Sequence, residues 1–428
     1  MKIAIVGGGA AGLGAAWALA PHHEVTIFEK SERFGGHANT HEIDYDGKII
    51  AADSGFMIHN AKNYPNLTSL FREIGIQSRP ADMSVSVTGD VEIEWSSNAI
   101  QILRSIGAFD LNPKFFPLVL EIYRFNRRAK QQLRAGAVPD VNISEYFRAE
   151  RHSSALLDCY LAPIVTAIWS MPVRSVPDFP APMLIQFFDN HSLLDFGRAN
   201  WQTIVGGTKN YVERLVDRTN ADFKVAEPVL TVARVAQGIL IKTTKADSLA
   251  FDKVVFACHP DEALTMLADP HPDERRHLSA IPYTESLTVL HRDESLMPQN
   301  RSRWASWNCV IPQKENQDSF SVTYNLNKIQ GIDPANPLFV SLRPHKDIRV
   351  DQIFAEMTYH HPLYSVEMLK ACANVRVMQG RNHTWFAGAY LGSGFHEDAF
   401  KSGLDVAESI NSSTFPKQNM EQMLTAAH

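Results

Sequence analysis

The opening residues of the chain leave few folds open. KIAIV at residues 2–6 is a short apolar run suited to a buried parallel strand. Gly7-x-Gly9-x-x-Gly12 follows at once, and Ala15, Ala16, Trp17, Ala18 and Leu19 then read as a helix. EVTIF at residues 24–28 predicts a second strand, ending at Glu29, 17 residues after the last glycine. This is the start of a βαβ unit that binds a dinucleotide. Gly7 permits the tight turn, Gly9 lets backbone approach a pyrophosphate, and Gly12 allows helix and strand to pack closely. Ala10 and Ala11 carry the first free N–H groups of the helix, where the dipole favours phosphate. Glu29 is placed to accept hydrogen bonds from ribose hydroxyls and to repel a 2′-phosphate.

The same stretch imitates a secretory signal, with Met1-Lys2 and an apolar run ending at Ala20. Glycines at 7, 8, 9, 12 and 14 and Pro21 directly after the run argue against that reading. The most apolar later segment, 156–173, is interrupted by Asp158, Pro163 and Pro172 and does not read as a membrane span. The four cysteines (159, 258, 309 and 372) form no C-x-x-C pair, so a reducing, cytoplasmic setting is expected rather than a disulfide framework. With 41 Lys and Arg against 47 Asp and Glu, the net charge of −6 argues against a general nucleic-acid binder. His22-His23 and His360-His361 are adjacent pairs whose members face different ways, and no H-E-x-x-H occurs, so no metal is expected.

After Glu29 the chain reads Lys30, Ser31, Glu32, Arg33, Phe34, Gly35, Gly36, His37. This E-x-x-x-R-x-G-G pattern resembles the FAD fingerprint of the flavin amine oxidase, phytoene desaturase and protoporphyrinogen oxidase superfamily. The resemblance implies FAD as cofactor, with Arg33, Gly35 and Gly36 against its phosphates and Lys30 and His37 beside them. Asp53-Ser54-Gly55-Phe56 resembles the superfamily's segment that runs beside the cofactor. Further blocks follow in order: Gly206-Gly207 opening a helix; a short strand near Phe223 leading to Pro228 and Val229 at the adenine; and KVVFAC, 253–258, ending at Cys258. TWFAGAYLGSGFHEDA, 384–399, resembles the C-terminal signature, with Gly388, Gly394, Phe395 and His396 at the flavin. The acidic residue the superfamily places after the first of these glycines is Ala389 here.

Blocks such as Tyr64–Leu67, Ile168–Ser170, Phe187–His191, Trp304–Asn308 and Gly394–Glu397 are similar to a narrower group: NAD/FAD-binding, amine-oxidase-like proteins encoded beside cyclopropane-fatty-acid synthases. The expected fold is α/β, a Rossmann-like FAD-binding domain interleaved with an α+β substrate domain. The motif order assigns 1–80, 195–275 and 378–412 to the former and 81–194 and 276–377 to the latter, with 413–428 a flexible tail. Within the substrate domain, Thr88-Gly89-Asp90 signals a hairpin, 98–170 reads as mainly helical, and strands are expected over 283–291, 303–310, 319–326 and 337–342.

Residues 160–196 are rich in Trp, Phe, Met, Leu and Pro and read either as ordinary core or as the lining of an acyl-chain tunnel. Residues 115–134 carry apolar side chains followed by Arg124, Arg127, Arg128, Lys130 and Arg134. They read as a solvated basic face or as peripheral contact with the inner face of a membrane. His396 and Glu397 are the first acid/base candidates, with Tyr390, Asn190 and His191 second. The amine oxidases of the superfamily often place a lysine near the flavin; the strand 286–291 has none, and His291 is its nearest polar candidate. Three functions fit: FAD-dependent oxidation or desaturation of a hydrophobic, acyl-lipid substrate; amine oxidation; or a redox-neutral double-bond isomerase or hydratase.

Overall fold

The computed structural model describes residues 1–91, 93–97, 115–194, 200–236, 238–311 and 321–414. Its first layer is a five-stranded parallel sheet. From edge to edge the strands are Thr384–Phe386, Lys253–Phe256, Lys2–Val6, Glu24–Phe28 and Asp222–Lys224. Strands from both ends and the middle of the chain thus lie side by side. The apolar runs 2–6 and 253–256 form its centre because both of their faces are covered.

The helix Ala10–Leu19 is buried along nearly its whole length, with Trp17 and Ala18 the partly covered exceptions. It lies between this sheet and the C-terminal helix His396–Thr414. Small residues make the fit possible. A Cβ on Gly14 would come within 2.7 Å of the Phe400 carbonyl oxygen, and one on Gly403 within 2.6 Å of the Ala15 amide nitrogen. Each glycine costs roughly 1 kcal/mol of helix propensity, offset by backbone contact that alanine would block.

A second, seven-stranded sheet runs Ile353–Pro362, Tyr283–His291, Phe339–Leu342, Ser321–Asn325, Trp307–Ile311, Val85–Gly89, Trp95–Ser96. It is antiparallel except where Val85–Gly89 pairs in parallel with Trp307–Ile311. The expected hairpin after Gly89 and the expected strands are all present within a few residues. The strand Ile353–Pro362 was not foreseen. Helices Phe115–Arg134, Ile143–Glu150 and Ala162–Trp169 supply the helical segment, and Ala181–Asn190 follows beyond it. The part of that expectation over 98–114 lies outside the described residues, as do 415–428 of the expected tail; 413 and 414 end the last helix. Among the described residues no helix is long and apolar enough to cross a membrane.

Candidate active site

One cavity of about 970 Å³ runs from the carboxyl ends of the parallel strands to the seven-stranded sheet. Such crevices are where open α/β sheets bind ligands. At its first end Val6, Gly7, Phe28, Glu29, Ala257 and Cys258 line the wall. Gly7 sits at φ +112 and its amide donates to the Phe28 carbonyl at 2.8 Å, which closes the turn between neighbouring strands. A Cβ on Gly12 would collide with the Gly7 carbonyl, so this glycine packs the helix onto the strand end. Gly9 caps the helix without a side-chain hydrogen bond, and a Cβ there would meet nothing within 4 Å. The first helical amides therefore face open cavity, a cradle for phosphate. Glu29 accepts from the Gly8 amide at 2.7 Å and the Ser31 amide at 2.8 Å, which fixes its carboxylate at the strand end.

Of the residues expected at a cofactor, Gly7, Gly9, Ala10, Ala11, Glu29, Lys30, Gly36, His37, Gly55, Phe56, Pro228, Val229, Cys258, Gly388, Gly394, Phe395 and His396 line the cavity. Gly12, Arg33, Gly35, Gly206 and Gly207 do not, and their work is to shape the wall. Arg33 donates to the Gly36 carbonyl at 2.8 Å and the Ala38 carbonyl at 3.1 Å. Gly35 donates to the Gly8 carbonyl at 2.8 Å from a φ of +111. Gly206 and Gly207 turn the chain into the helix Lys209–Arg218, Gly207 lying against Thr40. Thr40 and Thr208 in turn hold the buried Asp53, which also accepts from Gln330 Nε2 at 2.8 Å. Burial raises the Asp53 carboxyl to about 6 despite those donors.

The acid/base candidates separate clearly. His396, Tyr390 and His191 line the cavity, and Asn190 does not. His396 stacks on Phe56 with ring centres 4.1 Å apart and shares a hydrogen bond between its Nε2 and the Tyr211 hydroxyl. Burial lowers its imidazole to about 3. Glu397 is turned away from the cavity. It accepts from the Asn66 amide at 2.9 Å and the Leu67 amide at 3.0 Å, capping the helix Pro65–Glu73. His291 is fully buried outside the cavity, with Nε2 and Ser341 Oγ 2.8 Å apart. His291 and Glu397 both lie off the cavity wall and are withdrawn as groups that touch substrate.

The strand Ile353–Pro362 contributes what sequence reasoning missed. Tyr359, His360 and His361 line the cavity, facing Tyr283, His259 and His37. His37 stacks on Tyr359 at 4.8 Å, and burial lowers its imidazole to about 4. The buried His37 Nε2 and His361 Nδ1 have no hydrogen-bond partner among the described residues, so polar ligand atoms fit beside them. The strand's period of two puts Tyr359 and His361 on one face but does not account for His360, which lines the cavity beside them.

A βαβ phosphate turn, an acid at the strand end and a crevice shared by two sheets define a two-domain dinucleotide-binding flavoenzyme. The family model of flavin containing amine oxidoreductases matches residues 10–299, and the chain belongs to that family. It is an FAD-dependent oxidoreductase. Solved structures share the fold over 95–96% of this chain and 98–99% of theirs. They include a CLA-producing fatty acid isomerase from P. acnes (18% identity, TM-score 0.70) and putrescine oxidase bound to putrescine (13%, 0.69). A third is cyclohexylamine oxidase from Brevibacterium oxydans IH-35A (14% identity, TM-score 0.66). No curated protein matches the sequence.

Proposed function

We propose that this flavoenzyme desaturates or otherwise oxidises a hydrophobic, acyl-chain substrate, a hydride leaving one C–H bond for the flavin and a proton leaving its neighbour so that a double bond forms. The observation that carries the reading is the cavity wall beyond the dinucleotide strip. Met57, Ile58, Met83, Val85, Ile164, Ile168, Trp169, Phe187 and Leu193 line it. The carboxylates on the cavity, Glu29, Asp261 and Glu262, all sit at the other end with Lys30, so none meets a cationic substrate group. Burial keeps His37, His361 and His396 uncharged at neutral pH, which preserves an apolar site.

In this reading Gly7, Gly9, Ala10 and Ala11 bind the phosphates, Glu29 the ribose, and Pro228 and Val229 the adenine. Gly55, Phe56, Gly388, Gly394 and Phe395 hold the flavin ring, and His396 is a positioning residue locked by Phe56 and Tyr211. Bound FAD supplies the acceptor for the hydride. The apolar wall orients the chain and excludes water. The division of the chain into a discontinuous cofactor half and a discontinuous substrate half, with the boundaries given above, belongs to the same proposal. So does a cytoplasmic enzyme that meets its substrate at a membrane's inner face.

Amine oxidation is the second reading, favoured by the aromatic cluster of Trp169, Phe187 and Phe395, whose rings lie 4.7–5.8 Å apart. Anaerobic titration separates the two. Flavin bleaching by unsaturated fatty acids but not by putrescine or cyclohexylamine is expected; bleaching by amines alone refutes the acyl reading. A product of unchanged mass would instead indicate isomerisation, and a product heavier by one water hydration.

A further inference from the structure

The helix Phe115–Arg134 carries five cations and one carboxylate, a charge of +4 in a chain whose total is −6. Its buried face holds Leu118, Phe125, Ala129 and Gln132. On the opposite face Phe116, Leu120, Tyr123, Arg127 and Arg134 recur at offsets of four, seven, eleven and eighteen residues, which line up as one stripe at 3.6 residues per turn. The apolar members are well exposed: Phe116 at 60%, Leu120 at 62% and Tyr123 at 51%. Arg124, also exposed, flanks the stripe. Arg128 pairs with Glu150 at 2.9 Å, whereas Arg124, Arg127 and Arg134 have no ion-pair partner among the described residues.

The stripe adjoins the cavity. Asn126, on the flank of the same helix, donates to the Leu193 carbonyl at 3.4 Å. Leu193 lines the cavity and is 37% exposed, so it forms part of the rim.

We propose that this helix docks the enzyme on an anionic lipid bilayer, with Leu193 at the entry for substrate. Phe116, Leu120 and Tyr123 enter the acyl boundary, and Arg124, Arg127 and Arg134 meet lipid phosphates. The physical basis is charge complementarity joined to apolar insertion: neither term alone holds a protein firmly, and this stripe offers both in sequence along one face. The role as a substrate entry rests on the acyl-chain reading; the docking itself does not.

The test is flotation of the FAD-loaded full chain with vesicles of saturated phosphatidylcholine, with or without saturated phosphatidylglycerol. Saturated chains let binding be read without turnover. Flotation with phosphatidylglycerol vesicles only, reversed by salt, is expected. Arg124→Glu and Arg127→Glu should each lower the partition coefficient at least about fivefold, and Leu120→Asp about tenfold. Flavin content and circular dichroism should be unchanged in all three variants. Failure of the wild type to float, or equal flotation of the variants, overturns docking. Self-association that Leu120→Asp abolishes, without flotation, would assign the face to a second copy and also overturns it. Failure of lipids to bleach the flavin would remove the acyl reading and leave a positive flotation result standing.

Discussion

Glu29 is held by two backbone amides before any ligand arrives, which makes it a rigid acceptor. A carboxylate already fixed loses little freedom on meeting a ribose. Glu29→Ala removes a charge-assisted partner and leaves the Gly8 amide without its acceptor. FAD retention should weaken about tenfold to a hundredfold, from a loss of roughly 1.5–3 kcal/mol, read as the flavin-to-protein absorbance ratio during dialysis. Unchanged flavin content would refute the assignment. His396 and Glu397 are neighbours with opposite fates. His396→Ala should shift the visible flavin spectrum, because the ring stacks on Phe56 at the cavity wall. Glu397→Ala should leave the spectrum alone and cost about 1–3 kcal/mol of stability, measured by denaturant unfolding, since it strips a helix N-terminus of its acceptor.

At the scale of elements, the crossing of Ala10–Leu19 with His396–Thr414 depends on Gly14 and Gly403. Gly403→Ala forces the helices apart. A loss of about 1–3 kcal/mol is expected, with weaker FAD binding because the second helix begins at His396; a thermal shift assay with and without FAD reads both. Legibility in the sequence also divides by element. The strands 2–6, 24–28 and 253–256 and the C-terminal strand, loop and helix could be read because glycine spacing and apolar runs mark them locally. Ile353–Pro362 could not. Its half-buried, mixed pattern has no turn residue at its start, and its purpose depends on a partner strand some seventy residues earlier. For the same reason His360 and His361, visible as a pair, gave no hint of the cavity they face. Arg33, Gly206 and Gly207 stand in recognisable motifs, yet they act one step away from the cavity, a distinction that spacing does not encode.

For the whole molecule, histidines dominate the response to acid. Burial lowers His37, His59, His191, His291 and His345 to about 4 and His396 to about 3. Between those values and 6.5 the unfolded chain binds protons that the native chain refuses, so stability is lost as pH falls. Asp53 and Asp398, raised to about 6, act in the opposite sense: their contribution is present near pH 4 and lost as pH rises through 6. Six groups outweigh two, and the unfolding midpoint should drop steadily from pH 6.5 to pH 4.5. His59→Gln and His291→Asn, both outside the cavity, should each flatten that slope by up to about 1.4 kcal/mol per pH unit.

The parallel sheet places residue 386 beside residue 256, and the last helix lies against the first. During synthesis, then, the phosphate turn emerges early but its crevice stays open on one side until about 410 residues are out. At roughly 5–20 residues per second this means some 20–80 seconds in which the nascent chain exposes apolar wall. Completion of the nucleotide crevice is thereby tied to the emergence of the last helix, long after the phosphate turn itself.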